Sequence, residues 1–174
     1  MSLIEPGTRA PAFTLPDQRG AKHRLSDHKG SPVVLFFYPK DDTTGCTKEA
    51  CGFRDLSAKF EEAGVVVFGI SPQGVDSKAA FAAKHRLDYP ILADEGSKVC
   101  EKYGVWQEKS MYGRTYMGVV RTTYLINGRG VVEKRWDKVK VPGHAEAVYE
   151  AAADLEKAGL QGGTGRRDGV SASD

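Results

Sequence analysis

Cysteine is scarce in this 174-residue chain: Cys46, Cys51 and Cys100 are all there is. An odd, low count excludes a disulfide-stapled secreted scaffold, and in a reducing compartment any disulfide here is expected to be transient and catalytic. There is no C-x-x-C pair, so the usual motif of a thioredoxin-type exchanger is missing. Metal ligands are equally thin. Zinc asks for about four ligands at short spacing. The histidines His23, His28, His85 and His144 stand apart, none three or four residues from another, so no metal is expected and they read as surface or loop residues. Neither sign of charge prevails, with a net charge of +2 and the basic residues mixed among acids, which excludes a nucleic-acid surface. No apolar run approaches the roughly 18 residues of a membrane span. Residues 1–13 carry neither a basic start nor an apolar stretch, so no secretory signal is read there and a cytoplasmic location is expected.

What remains is ordinary for a globular protein: 40% hydrophobic and 28% charged residues, with no internal repeat. One domain is expected over residues 1–160, followed by a Gly- and Ser-rich tail, 161–174, expected to be disordered. Phe13–Leu15 and Lys22–Leu25 flank Asp17–Gly20 as a small hairpin. Pro32–Tyr38 and Val65–Ile70 are apolar without alternation and read as buried strands. Cys46 to about Glu62 reads as one helix ended by Gly64. Asp76 or Ser77 can cap a helix running to about Arg86. A short strand at Tyr89–Ala93 and a short helix at Ser97–Tyr103 follow. Arg121–Ile126 and Val131–Trp136 flank Asn127–Gly128–Arg129–Gly130, a strong hairpin signal. Gly143–Ala158 closes the chain as a helix. The order predicts an α/β fold: a thioredoxin-like three-layer sandwich with a mixed central β-sheet, helices on both faces and an N-terminal β-hairpin.

The first long buried strand ends at Pro39, a polar loop follows, and Cys46 stands where the next helix begins. A helix N-terminus favours an anion, and a cysteine reacts as an anion. Thr43 or Thr44 can cap that helix. A buried, inert thiol is the alternative reading, disfavoured by the polar loop around it. Cys51 follows five residues later, which on a helix means about 500° of rotation and about 7.5 Å of rise. The two thiols then point roughly 140° apart. Either they never pair, or the first turns must unwind.

Pro39-x-x-x-Thr43-x-x-Cys46, with the later Arg121, resembles the active-site signature of the peroxiredoxins. The run Cys46–Thr47–Lys48–Glu49–Ala50–Cys51 and the segment Gly118–Tyr124 extend the match over about residues 5–157. The nearest subgroup is the peroxiredoxin Q type, also called bacterioferritin comigratory protein, whose members often carry a second cysteine five residues after the first. The resemblance implies a thiol-dependent peroxidase acting on hydrogen peroxide and organic hydroperoxides, without cofactor or metal. Cys46 would be the nucleophile that becomes a sulfenic acid, and Cys51 the thiol that resolves it as an intramolecular disulfide. Thioredoxin or a glutaredoxin-like dithiol protein would restore both thiols.

The supporting residues take roles that fit. The Thr43 hydroxyl can accept from the peroxide while donating toward the thiolate. Pro39 ends the strand, and either does only that or also shields the sulfur from water. Arg121 would stabilise the thiolate and polarise the O–O bond. Glu49 either orients Arg121 or is an exposed first-turn carboxylate. Cys100 reads as structural, and no cysteine follows it, so a disulfide-linked dimer is not expected and a monomer is. Trp106, Tyr112, Tyr116 and Met117 are expected to cluster in a loop beside the Cys46 pocket. Two rival functions remain at this point: a protein disulfide oxidoreductase, and a redox-sensing module that oxidises without turnover.

Overall fold

The structure is a computed structural model that describes residues 2–166. Its elements in chain order are β1 (Thr14–Pro16), β2 (Lys22–Arg24), β3 (Val33–Phe37), α1 (Thr44–Asp55), α2 (Ser57–Glu62), β4 (Val66–Ser71) and α3 (Val75–His85). Then come β5 (Ile91–Ala93), α4 (Lys98–Lys102), β6 (Trp106–Met111), β7 (Arg114–Val119), β8 (Thr122–Ile126), β9 (Val132–Trp136) and α5 (His144–Arg166).

An apolar run without alternation must be covered on both faces. That is the position of β3, all five residues of which are buried in the middle of a sheet ordered β5-β4-β3-β8-β9. β3 is parallel to β4 and antiparallel to β8, so the sheet is mixed. Alternate residues of β3 feed two separate cores. Val33, Leu35 and Phe37 pack with Phe13 and Leu15 from the N-terminal hairpin and with Val99 and Tyr103 around α4. Val34 and Phe36 pack with Ala50 and Phe53 of α1, Phe60 of α2, Phe81 of α3 and Val148 of α5. The result is the thioredoxin-like three-layer sandwich that the sequence predicts.

Four local expectations need correction. The helix read as continuous from Cys46 to Glu62 is two helices. At Leu56 the backbone leaves helical geometry and its N–H donates to the Phe53 carbonyl three residues back, while Phe53 and Phe60 stay on the buried face on either side. α3 is capped at Gly74 rather than at Asp76 or Ser77, because the Ser77 hydroxyl is used elsewhere. The segment 106–119, read as a loop, is a hairpin of β6 and β7 with a two-residue turn at Tyr112 and Gly113, at φ 53° and 78°. Both its faces mix polar and apolar residues, so it lacks the clean alternation that marks a half-buried strand. Residues 161–166, assigned above to a tail, continue α5; residues 167–174 lie outside the described residues.

Candidate active site

Strand pairing carries on one residue beyond β3, because the Tyr38 N–H donates to Ile70. Pro39 has no N–H and stops it. The chain then crosses to Thr43, the N-cap of α1, and the first helical hydrogen bond runs from Thr47 N–H to the Thr43 carbonyl at 2.8 Å. The N–H groups of Thr44, Gly45 and Cys46 therefore have no acceptor within the helix. Cys46 sits in this first turn and is buried, 1% exposed, among the apolar residues under α1. A thiolate there is surrounded by unpaired backbone donors and the positive end of the helix.

Arg121 arrives from the start of β8. Its Nη2 lies 3.4 Å from the Cys46 Sγ, and its Nη1 donates to the Glu49 Oε1 at 2.6 Å. One guanidinium thus bridges two residues one turn apart on α1. Gly45 makes room for it: a Cβ on Gly45 would stand 3.2 Å from the Arg121 Nη2. Glu49 is buried, not the exposed carboxylate of the alternative reading, and its Oε2 has no hydrogen-bond partner. The His144 Nε2 lies 3.9 Å from that oxygen. His144 is also buried, against the expectation of a surface histidine, and its Nε2 lies 2.8 Å from the Thr123 hydroxyl. It opens α5, and nothing in the local sequence separates it from an exposed first-turn residue.

Burial pushes the Glu49 carboxyl up to about 7, although Arg121 pulls the other way. Burial, helped by Arg121, pushes His144 down to about 4. The signs oppose. Between about 4.5 and 7 the folded protein holds a proton at Glu49 that the unfolded chain has released, so this group's contribution to stability is lost as pH rises. Between about 6.5 and 4 the unfolded chain protonates His144 and the folded one does not, so that contribution is lost as pH falls. Calorimetric Tm measured from pH 4 to pH 8 should separate them. Relative to wild type, Glu49→Gln should gain about 10 °C as pH rises across its window, and His144→Gln should gain as pH falls across the other. A difference curve that is flat in pH removes the corresponding group from this account.

The loop before α1 is anchored from beneath. Asp41 turns its carboxylate inward, where it accepts from the Tyr38 hydroxyl at 2.6 Å, the Ser77 hydroxyl at 2.6 Å and the Lys78 ammonium at 2.9 Å. Lys78 is fully buried and also donates to Ser71. Gln73 accepts from the Asp41 N–H and donates to the Pro39 carbonyl. Two loop residues are thereby tied to the end of β4 and the start of α3. In the sequence Asp41 and Lys78 look like ordinary surface charge, and only the fold pairs them.

The remaining expectations divide. Thr43 lies at the expected place, but its hydroxyl donates to the Lys40 carbonyl at 2.9 Å, so it neither caps α1 nor donates toward the sulfur; its lone pairs stay available. Cys51 is half-buried on an unbroken helix, and all three thiols are free. Cys100 is buried beside Asp94, and burial pushes its thiol far above the usual range, as an inert thiol requires. Of the four residues expected to cluster beside Cys46, only Trp106 packs against the core; Tyr112 is 97% exposed, and Tyr116 and Met117 are exposed as well. A groove of about 400 Å³ opens at the opposite end of the sheet, lined by Arg9, Leu25, His28 and Ile126 among others. It holds no thiol, and the chemistry belongs at Cys46.

Comparison with known proteins gives one answer. The AhpC/TSA family pattern matches residues 6–135. The peroxiredoxin Bcp of Bacillus subtilis is 41% identical over 154 residues, covering 88% of this chain and 98% of that one. The peroxiredoxin Bcp of Escherichia coli strain K12 is 43% identical over 148 residues, covering 85% and 95%. Among solved structures, the bacterioferritin comigratory protein of Xanthomonas campestris, whose alkyl peroxide reduction activity has been analysed structurally, superposes with a TM-score of 0.82 at 35% identity, covering 87% of this chain and 99% of that one. A matching fold, a chain similar over nearly its whole length and a thiol bridged by an arginine leave one assignment: this chain belongs to the AhpC/TSA family, in its Bcp/PrxQ group of peroxiredoxins, and is a thiol peroxidase.

Proposed function

We propose that Cys46 reduces hydrogen peroxide and organic hydroperoxides, with Cys51 resolving the product. The observation that carries this is the Arg121 guanidinium lying 3.4 Å from the Cys46 Sγ while anchored to Glu49. In the first step the Cys46 thiolate attacks the terminal peroxide oxygen. An S–O bond forms, the O–O bond breaks, and the leaving oxygen takes a proton from solvent to become water or an alcohol. The sulfur is oxidised to sulfenic acid and the peroxide is reduced. Arg121 and the first-turn N–H groups hold the charge through this transfer. Thr43 accepts the peroxide hydrogen through its free lone pairs, and Pro39 keeps water from the sulfur.

In the second step the Cys51 sulfur displaces hydroxide from the sulfenic acid, giving a disulfide and water. A thioredoxin or glutaredoxin-like dithiol then exchanges with that disulfide and is itself oxidised. The monomer suffices for this cycle, since both sulfurs belong to one helix. Three free thiols suit a reducing cytoplasm. Among the described residues no helix is long and apolar enough to cross a membrane.

The test combines turnover with mass spectrometry. Purified protein, thioredoxin, thioredoxin reductase and NADPH should consume many equivalents of hydrogen peroxide, and the peroxide-treated protein should carry a Cys46–Cys51 bridge. Loss of a single equivalent without turnover favours a redox-sensing module. Oxidation of dithiol substrates with no peroxide consumption favours a disulfide oxidoreductase. Either result overturns the proposal.

A further inference from the structure

The groove of about 400 Å³ lies where β3 begins, and Cys46 lies beyond the other end of that strand. β3 alone, five residues at about 3.3 Å each, puts about 16 Å between them, so the groove is separate from the peroxide site. Its walls come from three segments: 9–12 ahead of β1, 25–31 ahead of β3, and the β8–β9 turn at 126–130. Main-chain hydrogen bonds fasten them. The Ala10 N–H donates to the Gly130 carbonyl at 2.9 Å, and the Gly30 N–H to the Gly128 carbonyl at 2.8 Å. Gly128 allows the second closure, since a Cβ there would stand 3.1 Å from the Gly30 carbonyl carbon. The hollow is thus fixed by the backbone before any ligand arrives, and its size falls in the range of small-molecule sites, about 300 to 1,000 Å³.

The lining has two chemistries. The floor is apolar, made by the buried Leu25, Val33 and Ile126. The rim carries Arg9 and Lys29, both exposed and from different segments. No Asp or Glu lines the groove; Asp27, next to His28 in the sequence, is not part of its wall. Among the described residues neither Arg9 nor Lys29 takes part in an ion pair. The Arg9 Nη1 donates to the Arg129 carbonyl at 3.4 Å, which rests the guanidinium against the β8–β9 turn and leaves most of its N–H donors open. Burial, with His23 beside it, holds the His28 ring below the usual histidine range, so at neutral pH His28 adds an uncharged wall.

An inorganic anion would satisfy the cations and leave the apolar floor uncovered. A neutral hydrocarbon would cover the floor and leave the cations without a partner. A molecule with an apolar body and one carboxylate meets both: the body lies on Leu25, Val33 and Ile126, Arg9 takes the carboxylate through paired N–H donors, and Lys29 adds a point charge. We propose that this groove is a binding site for a small amphipathic carboxylate, of the size of a medium-chain fatty acid. Its occupancy does not depend on Cys46.

Calorimetric titration of the full chain with decanoate, kept below the concentration at which it forms micelles, tests the site. Decanoate should bind saturably and about tenfold or more tighter than 1-decanol, and acetate should not saturate. In the double variant Arg9→Gln, Lys29→Gln, decanoate should weaken about tenfold while decanol binds as before. Methyl NMR of the wild type should show decanoate-dependent shifts at Leu25, Val33 and Ile126. The proposal is overturned if decanoate does not saturate, if decanol binds as tightly, or if the double variant keeps the wild-type affinity for decanoate. Loss of decanol binding in the double variant overturns it as well, since the effect would then come from shape and not charge. So do methyl shifts centred on the other face of the sheet, at Val34 and Val148.

Discussion

Cys46→Ser is expected to reduce peroxide consumption to the uncatalysed background, a loss of about 10³-fold or more, with a melting temperature close to wild type. A serine hydroxyl nearly matches the thiol in size and can still pair with Arg121, so the buried site keeps its packing and its polar contact. What it loses is an anionic nucleophile at neutral pH. Cys51→Ser should behave differently. It should reduce one equivalent of peroxide at the wild-type rate and then stop, leaving a sulfenic acid that dimedone captures. Rapid-mixing consumption of hydrogen peroxide, with adduct mass as the second readout, distinguishes the two variants. Wild-type cycling with thioredoxin in Cys51→Ser would end the two-cysteine scheme.

That difference has a structural cost. α1 is continuous across both cysteines, so about 500° and about 7.5 Å separate them and no bridge can form on the intact helix. If the two thiols pair as proposed, the melting must fall in the first turns. Beyond them, the Tyr89 hydroxyl donates to the Ala50 carbonyl at 2.7 Å, and Phe53 stacks on Phe36 with centroids 4.4 Å apart. The first turns are held chiefly by Arg121, through Glu49 and Cys46. Oxidation to sulfenic acid removes the thiolate charge and weakens one of those two contacts at the moment when release is required. In the proposed two-cysteine cycle, the same guanidinium would stabilise the reactive state and, once the sulfur is oxidised, let the turn go.

Much of this was readable in the residues. The apolar run of β3, the proline after it and a cysteine at a helix start fix the architecture of the reactive turn, and the Pro39–Thr43–Cys46–Arg121 spacing points to the chemistry. The unreadable parts share a cause. His144, Asp41 and Lys78 are polar residues buried by partners 21 and 37 positions away, and local pattern does not encode long-range pairing; Glu49, offered as the residue that orients Arg121, left only its burial unread. The β6–β7 hairpin leaves no alternating pattern in the sequence because it lacks a buried face. The Thr43 hydroxyl was misdirected because the Lys40 carbonyl, three residues back, competes for its proton.

Lys78→Met is expected to destabilise the protein by about 3–5 kcal/mol, measured as a displaced urea midpoint with an unchanged slope. The Lys78 ammonium is fully buried, and the Asp41 side chain is 4% exposed. Removing the cation leaves a carboxylate out of reach of water, with hydroxyl donors from Tyr38 and Ser77 but no opposite charge. Lys78 sits beside the Tyr38 ring as well, its Nζ 5.4 Å from the centroid, so that attraction is lost too. Asp41→Asn should cost nearly as much, because it strands the ammonium. The double variant Asp41→Asn, Lys78→Met buries no charge and should recover about half the loss or more, since a buried ion pair is worth little against neutral groups that pack as well. The recovery should not extend to catalysis. The Asp41 carboxylate ties the loop that carries Pro39 to β4 and α3, and a loop loosened there should leave peroxide reduction slow in the double variant even where stability returns. If Lys78→Met costs under about 1 kcal/mol, the pair is surface-like and the anchor is misassigned. If the double variant regains wild-type peroxide rates along with stability, Asp41 serves the fold alone.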